Sequence, residues 1–224
     1  MKQIKGVIFD FNGTLFWDSL KHQEAWSIMA KRLRGTPLDD TEMAEHVHGQ
    51  INTQIISYLL DHSISDEEAK NYSRMKEEIY RMLCSKDPSF LHLAPGAEKL
   101  FDWLQKHDIP QSIATASIRE NVEFFKSVFQ LNTWFDDEHI TYDDGVNKDK
   151  TDMFLKAAQI MQLPIENCLI IEDSISGIQF ANQINAGMII ALAPADKASI
   201  YQALPGVVQV IQNFTDFDTS IFRR

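Results

Sequence analysis

Short apolar runs alternate with amphipathic stretches along most of this chain. Residues 4–9 form a β-type apolar run that stops at Asp10. From Ser19 to about Cys84 the periodicity turns helical, with no convincing strand. Ser19 is placed to cap a helix through Ala25, Trp26, Met29 and Leu33, and Asn52 a second through Ile55, Ile56, Leu59 and Leu60. Ser65-x-x-Glu68 is a capping box that opens a long charged helix. Past Pro95-Gly96 strands and helices alternate: helix 97–106, strand 111–115, a helix to Phe129 capped by Ser117-x-x-Glu120, and a weaker strand at 139–142. Helix 152–162, strand 168–172, helix 176–185, strand 187–192 and a last strand at 207–211 follow. Such alternation predicts an α/β fold with a parallel sheet covered on both faces. The helical stretch reads as an insertion over 16–90, dividing a core made of 1–15 and 91–224.

Three polar residues stand where strands end. Asp10 closes Gly6-Val7-Ile8-Phe9, Thr115 closes Gln111-Ser112-Ile113-Ala114, and Asp173 follows Cys168-Leu169-Ile170-Ile171-Glu172. In a parallel sheet the carboxyl ends of strands share one edge, where ligands bind. Each residue alone reads as an ordinary turn or helix-cap residue. Their order and spacing around one helical insertion predict that they converge.

Those segments carry a resemblance. Val7-Ile8-Phe9-Asp10-Phe11-Asn12-Gly13-Thr14-Leu15 resembles the nucleophile motif of the haloacid dehalogenase (HAD) superfamily, whose phosphatases read Asp-x-Asp-Gly-Thr. Ile113-Ala114-Thr115-Ala116-Ser117 resembles the second motif, which holds phosphate, and Glu172-Asp173-Ser174-x-x-Gly177 the acidic metal motif. The third motif supplies a lysine just before a helix. Here Asn147-Lys148-Asp149-Lys150-Thr151-Asp152 lacks the usual glycine and prolines; alignment on Asp152-Met153-Phe154-Leu155 selects Lys148, with Lys150 the rival. The helical insertion is similar to the cap of the β-phosphoglucomutase-like branch. The resemblance implies a Rossmann-like, HAD-like core with an inserted α-helical cap that closes over the substrate. It further implies Asp10 as nucleophile and metal ligand, and Thr115, Ala116 and Lys148 at the phosphate. Asp173 would ligate Mg²⁺ directly with Glu172 in support, and the main-chain carbonyl of Asn12 would complete the set. His48 and Gln50, with Asn52, fall where such caps face the site; Lys76 and Arg81 are further candidates, although on so polar a helix they read as solvated side chains.

Composition narrows the partners. A net charge of -11 opposes a nonspecific grip on nucleic acid or an anionic membrane, so an anionic substrate must be held by local cations. No apolar run approaches a membrane span. The two cysteines, Cys84 and Cys168, read as reduced thiols, and the start of the chain reads as strand rather than leader. A cytoplasmic, monomeric hydrolase of a small phosphorylated metabolite is the expectation. Carboxylates suit Mg²⁺, and the seven scattered histidines, the cap pair His46 and His48 among them, offer softer metals no cluster.

Asn12 departs from the family pattern. The aspartate usual at that position trades a proton with leaving group and water, which an asparagine cannot do. General acid–base help contributes about 10²–10⁴-fold, so hydrolysis is expected to be weakened and phospho-Asp10 to accumulate. Three accounts stand beside that one. A cap residue such as His48 supplies the proton, the asparagine is an inactivating replacement, or Asn12-Gly13 deamidates to restore aspartate. A catalytically impaired phosphometabolite-binding protein is the second functional class. Carbon–halogen hydrolysis is disfavoured by Glu172-Asp173, and mutase action by its need for acid–base help in both directions.

Overall fold

The computed structural model describes residues 3–47, 50, 52–144 and 149–223. Two compact units make up the chain: Met1–Trp17 with His92–Arg224, and Asp18–Leu91. Phe16 and Trp17 thus belong with the first unit rather than with the insertion. Phe16 packs there against Phe11, Phe125 and Phe129, with ring centroids 6.5, 6.1 and 4.9 Å apart.

The first unit is built on six parallel strands: β1 (Gly6–Phe9), β2 (Gln111–Ile118), β3 (Ile140–Asp143), β4 (Cys168–Glu172), β5 (Met188–Leu192) and β6 (Val207–Ile211). Their order is β3-β2-β1-β4-β5-β6. The direction of progression therefore reverses beside β1, and such a reversal opens a crevice at the carboxyl edge. β1 and β4 are buried along their whole length, which is why they read as unbroken apolar runs rather than alternating ones. On one face Ile8, Ala114, Ile170 and Ile189 pack with Met153, Phe154 and Ala157 from helix Lys150–Ile160 and with Ile178 and Ala181 from helix Ile175–Gln183. Phe9 points to the other face, as the two-residue period of a strand requires, and meets Phe101, Phe135 and Phe214 at 5.2, 6.4 and 6.0 Å.

The second unit holds helices α1 (Ser19–Arg34), α2 (Asp40–His46), α3 (Asn52–Leu60) and α4 (Asp66–Ser85); the first unit adds α5 (Ala97–Lys106), α6 (Arg119–Phe129), α7 (Lys150–Ile160), α8 (Ile175–Gln183) and α9 (Ala198–Gln202). The expected capping box at Ser65 and Glu68 is present. The one expected at Ser117 is not. β2 runs on to Ile118, the residue that precedes α6 makes no side-chain cap bond, and the Ser117 hydroxyl is engaged elsewhere. Helix α7 starts two residues earlier than the apolar periodicity suggests, because Asp149 caps it by accepting the Thr151 N–H at 2.8 Å.

Lys76 is not the solvated side chain its helix led us to expect. It is buried, with Nζ 2.8 Å from Glu77 Oε1 and 2.6 Å from His22 Nδ1. His22 reaches Asp18 through Nε2 at 3.2 Å and stacks on Tyr80, whose hydroxyl donates to the same carboxylate. A buried lysine needs such partners, since an unpaired charge in the interior is strongly unfavourable. Among the described residues no helix is long and apolar enough to cross a membrane.

The loop after β1 rests on an aromatic cluster from α6, with Phe11 stacked on Phe125 at 4.5 Å and 21°. Phe125 is fully buried, so Phe125→Ala is expected to cost about 3–5 kcal/mol in urea unfolding through the cavity it leaves.

Candidate active site

The carboxyl edge of β1 carries a tight turn. Asp10 extends the strand pairing by donating its N–H to Ile171 O at 3.0 Å, and the chain then folds back so that Phe11 O accepts from Leu15 N and Phe16 N at 2.8 and 2.9 Å. Gly13 makes this possible with φ +82°, and its N–H donates to Phe16 O at 2.7 Å. A Cβ on Gly13 would lie 2.2 Å from Asp173 Oδ2. Glycine is therefore required twice here, for its backbone conformation and for the space it leaves.

Three carboxylates meet above this turn. Asp10, Glu172 and Asp173 each offer an oxygen within 4.8 Å of the other two. Asp10 and Glu172 are buried and Asp173 is half-buried. Burial together with the charges of Asp10 and Glu172 pushes the Asp173 carboxyl up to about 8. Burial and Asp10 push Glu172 up to about 7. The Lys150 ammonium lies 2.6 Å from Asp10 Oδ1 and 2.8 Å from Glu172 Oε2. Burial favours its neutral form, but the carboxylates of Asp10 and Glu172 outweigh that and hold it charged well above the ordinary lysine range. One ammonium does not balance three carboxylates. Thr14 Oγ1 stands 3.1 Å from Asp10 Oδ2 and 3.0 Å from Asp173 Oδ1, and a hydroxyl has a single proton to give.

This arrangement suits a small divalent cation. The donors are all oxygen, the excess charge is negative, and Gly13 clears the space where Asp173 enters. Glu172 is the most constrained of the three. Its Oε1 accepts from the N–H and hydroxyl of Ser174 at 3.2 and 2.5 Å, its Oε2 from Lys150, and a Cβ on Gly177 would strike it at 2.2 Å.

Residue 12 faces β2 instead. Asn12 Oδ1 accepts from Thr115 Oγ1 at 3.2 Å and from Ser117 Oγ at 2.7 Å. Ser117 N–H in turn donates to Thr115 Oγ1 at 3.1 Å. Residues two apart in a strand share a face, which is how both hydroxyls reach one carboxamide.

The structure thus brings together Asp10, Asn12, Thr115, Glu172 and Asp173, with Ala116 exposed between the two hydroxyl residues. Lys148 lies outside the described residues, and the lysine found against Asp10 is its rival Lys150. Alignment on Asp152 favoured Lys148, whereas the cap at Asp149 makes Lys150 the first residue of α7 and turns it inward. His48 also lies outside the described residues; Gln50 is exposed in the helical unit and Asn52 begins α3. Sequence reasoning missed Thr14 as a bridge between two carboxylates and gave Ser117 a capping role. The alternation of Thr115 and Ser117 at the end of a strand was the available signal for the latter.

The haloacid dehalogenase-like hydrolase family model matches residues 4–185. The chain is similar to the chloroplastic 5-amino-6-(5-phospho-D-ribitylamino)uracil phosphatase of Arabidopsis thaliana, at 25% identity over 198 residues, covering 88% of this chain and 51% of that protein. It spans about half the length of that relative. A probable pseudouridine-5'-phosphatase of Drosophila melanogaster is 25% identical over 231 residues, 99% of this chain and 95% of its own. A solved HAD hydrolase of family IA, variant 3, from Entamoeba histolytica superposes with a TM-score of 0.91 at 37% identity over 98% of each chain.

Gly13→Ala tests the turn. Strain at φ +82° and the collision with Asp173 are expected to cost at least about 1–3 kcal/mol in denaturant unfolding, whereas Gly35→Ala, at a φ of +85° but with open space around it, should cost less.

Proposed function

The chain belongs to the haloacid dehalogenase-like hydrolases, and we propose that it is a Mg²⁺-dependent phosphatase of a small phosphorylated metabolite, with Asp10 as nucleophile. The observation that carries this reading is the pairing of Asp10 Oδ1 with Lys150 Nζ at 2.6 Å, at a sheet edge that also presents Thr115 and two further carboxylates. The phosphatases named above act on different phosphorylated small molecules, which supports the substrate class without choosing a member of it.

In this reading a carboxylate oxygen of Asp10 attacks phosphorus, the bond to the leaving oxygen breaks, and phospho-Asp10 forms. Water then attacks the same phosphorus and Asp10 departs as carboxylate. Lys150, in place of Lys148, and the Thr115 hydroxyl hold the phosphoryl oxygens, and Ala116 offers its exposed backbone beside them. Lys150 also holds Asp10 in place through the 2.6 Å contact to its Oδ1. Asp10, Asp173 and the main-chain carbonyl of Asn12 would hold Mg²⁺, with Glu172 orienting Lys150 and steadying the acidic cluster. When bound, the ion neutralises the charge shared by the nucleophile and the phosphoryl group. The main work of the site is positioning and charge neutralisation, which these groups provide without the side chain of residue 12. Two buried free thiols, Cys84 and Cys168, suit the reducing conditions of a cytoplasm.

Asn12 favours weakened turnover and is the specific reason to keep phosphometabolite binding without release as the second reading. Its carboxamide oxygen is held by two hydroxyls and has no proton to give or take.

Two measurements test the main reading. Asp10→Asn should abolish Mg²⁺-dependent phosphate release from p-nitrophenyl phosphate; release that persists unchanged in that variant sinks it. Mg²⁺ at a hundredfold excess over its dissociation constant should stabilise the protein by about 2.7 kcal/mol. Asp173→Asn should lose that stabilisation while being no less stable than the parent without metal, because burial and the neighbouring Asp10 and Glu172 already disfavour the ionised form of Asp173 there.

A further inference from the structure

We propose that Asp149 is a positioning residue for this site: by capping α7 it aims Lys150 at the Asp10 and Glu172 carboxylates. The proposal rests on the reading of Lys150 as the lysine that holds phosphate and goes beyond it.

The dependence of Lys150 on this cap follows from where the core takes hold of α7. Met153, Phe154, Ala157 and Ala158 are buried and pack with Ile8, Ala114 and Ile170 of the sheet. Lys150, Thr151 and Asp152 precede that anchorage and are only half-buried. The first N–H groups of a helix have no partner within it, so such an end frays unless a side chain accepts from it. Asp149 does so, its Oδ1 taking the Thr151 N–H at 2.8 Å. Residues 147–152 include no proline, whose ring would fix a backbone torsion in its stead. The Thr151 hydroxyl adds nothing to the cap: it is buried and has no hydrogen-bond partner among the described residues.

Lys150 stands where a cation is least at home. It is the first residue of α7, and the positive end of the helix dipole disfavours an ammonium there. Its Nζ nevertheless lies 2.6 Å from Asp10 Oδ1, 2.8 Å from Glu172 Oε2 and 5.8 Å from the ring centroid of Phe154, one turn on. Asp10, Glu172 and Phe154 are all buried in the sheet unit, so the backbone that carries Lys150 decides whether its ammonium reaches them. A frayed first turn would take Lys150 from both carboxylates at once. Loss of a side-chain cap corresponds to about 2–30-fold in the population of an ordered turn, so that fraction should grow by the same factor. The hydrogen bond is the working part of the cap. Asparagine and serine accept it as well as aspartate does, and alanine does not.

The experiment labels the full chain with acetic anhydride and follows each lysine by peptide mass, with the exposed Lys99 as reference, so it needs no turnover. The expected result is that Lys150 is labelled at least about threefold faster in Asp149→Ala than in the parent, and within about twofold of the parent in Asp149→Asn, Asp149→Ser and Thr151→Val. Equal labelling in Asp149→Ala and the parent overturns the proposal. Labelling of Asp149→Asn as fast as Asp149→Ala also overturns it, by assigning the effect to charge; the same result in Thr151→Val does so by assigning it to the hydroxyl. Mg²⁺-dependent phosphate release from p-nitrophenyl phosphate reads the consequence. Asp149→Ala should lower kcat/KM by the factor seen in labelling, and should lower it no further in a Lys150→Met background. Faster labelling with kcat/KM unchanged overturns the positioning role and leaves the phosphatase reading standing. Release undiminished in Asp10→Asn would remove the nucleophile reading instead, while the labelling would still decide whether Asp149 aims Lys150.

Discussion

The arrangement of the sheet-containing unit follows from one electrostatic imbalance: three carboxyl groups around a single ammonium at the edge of a buried sheet. Lys150 bridges Asp10 and Glu172, and Thr14 has one proton for two more carboxylate oxygens. A fold left to hydrophobic burial alone would not assemble this group, because like charges in a low dielectric repel strongly. It is held by elements that cannot easily yield. β1 and β4 are paired along their length and fully buried, the Asp10 N–H is tied to Ile171, and Glu172 is fixed from both oxygens. Part of the stability of the sheet offsets the cost of keeping that imbalance in place.

Most of the scaffold was legible because its strands carry a strong signal. β4 and β6 coincide with the apolar runs that suggested them, and α5 begins after the Pro95-Gly96 break as anticipated. That Asp10 and Asp173 come within reach of each other, and that Thr115 stands at the end of the neighbouring strand, followed from the topology of a parallel sheet. What stayed hidden was decided by contacts that no local pattern records. Lys148 and Lys150 are indistinguishable as loop lysines; the structure places Lys150 against two distant carboxylates, and Lys148 lies outside the described residues. Ser117 and Glu120 have the spacing of a capping box, yet the serine serves Asn12, a residue more than a hundred positions away. Lys76 sits in a helix of charged residues, and only tertiary packing shows that its partners are Glu77 and His22.

The polar residues of the helical unit illustrate the same lesson from the other side. Asp18, His22, Lys76, Glu77 and Tyr80 come from its two longest helices and the residue before the first of them. Buried groups of this kind add little to net stability compared with apolar packing, but they restrict how the helices can be paired, since any slip would leave a charge without its partner. The unit has an apolar core in Ile55, Ile56, Leu59 and Ile79.

The turn at Gly13 has a consequence for the chemical ageing of the protein. An asparagine followed by glycine is ordinarily a molecular clock, because the next amide nitrogen can close on the side-chain carbonyl carbon and open again as aspartate or isoaspartate. Here that nitrogen is committed to Phe16 O at 2.7 Å, and the side chain it would attack is pinned to Thr115 and Ser117. Cyclisation would have to break all three hydrogen bonds and distort a turn packed against Asp173. Folding therefore protects residue 12 from conversion, so that the carboxamide is a durable feature of the native protein, and deamidated material would be a record of time spent unfolded.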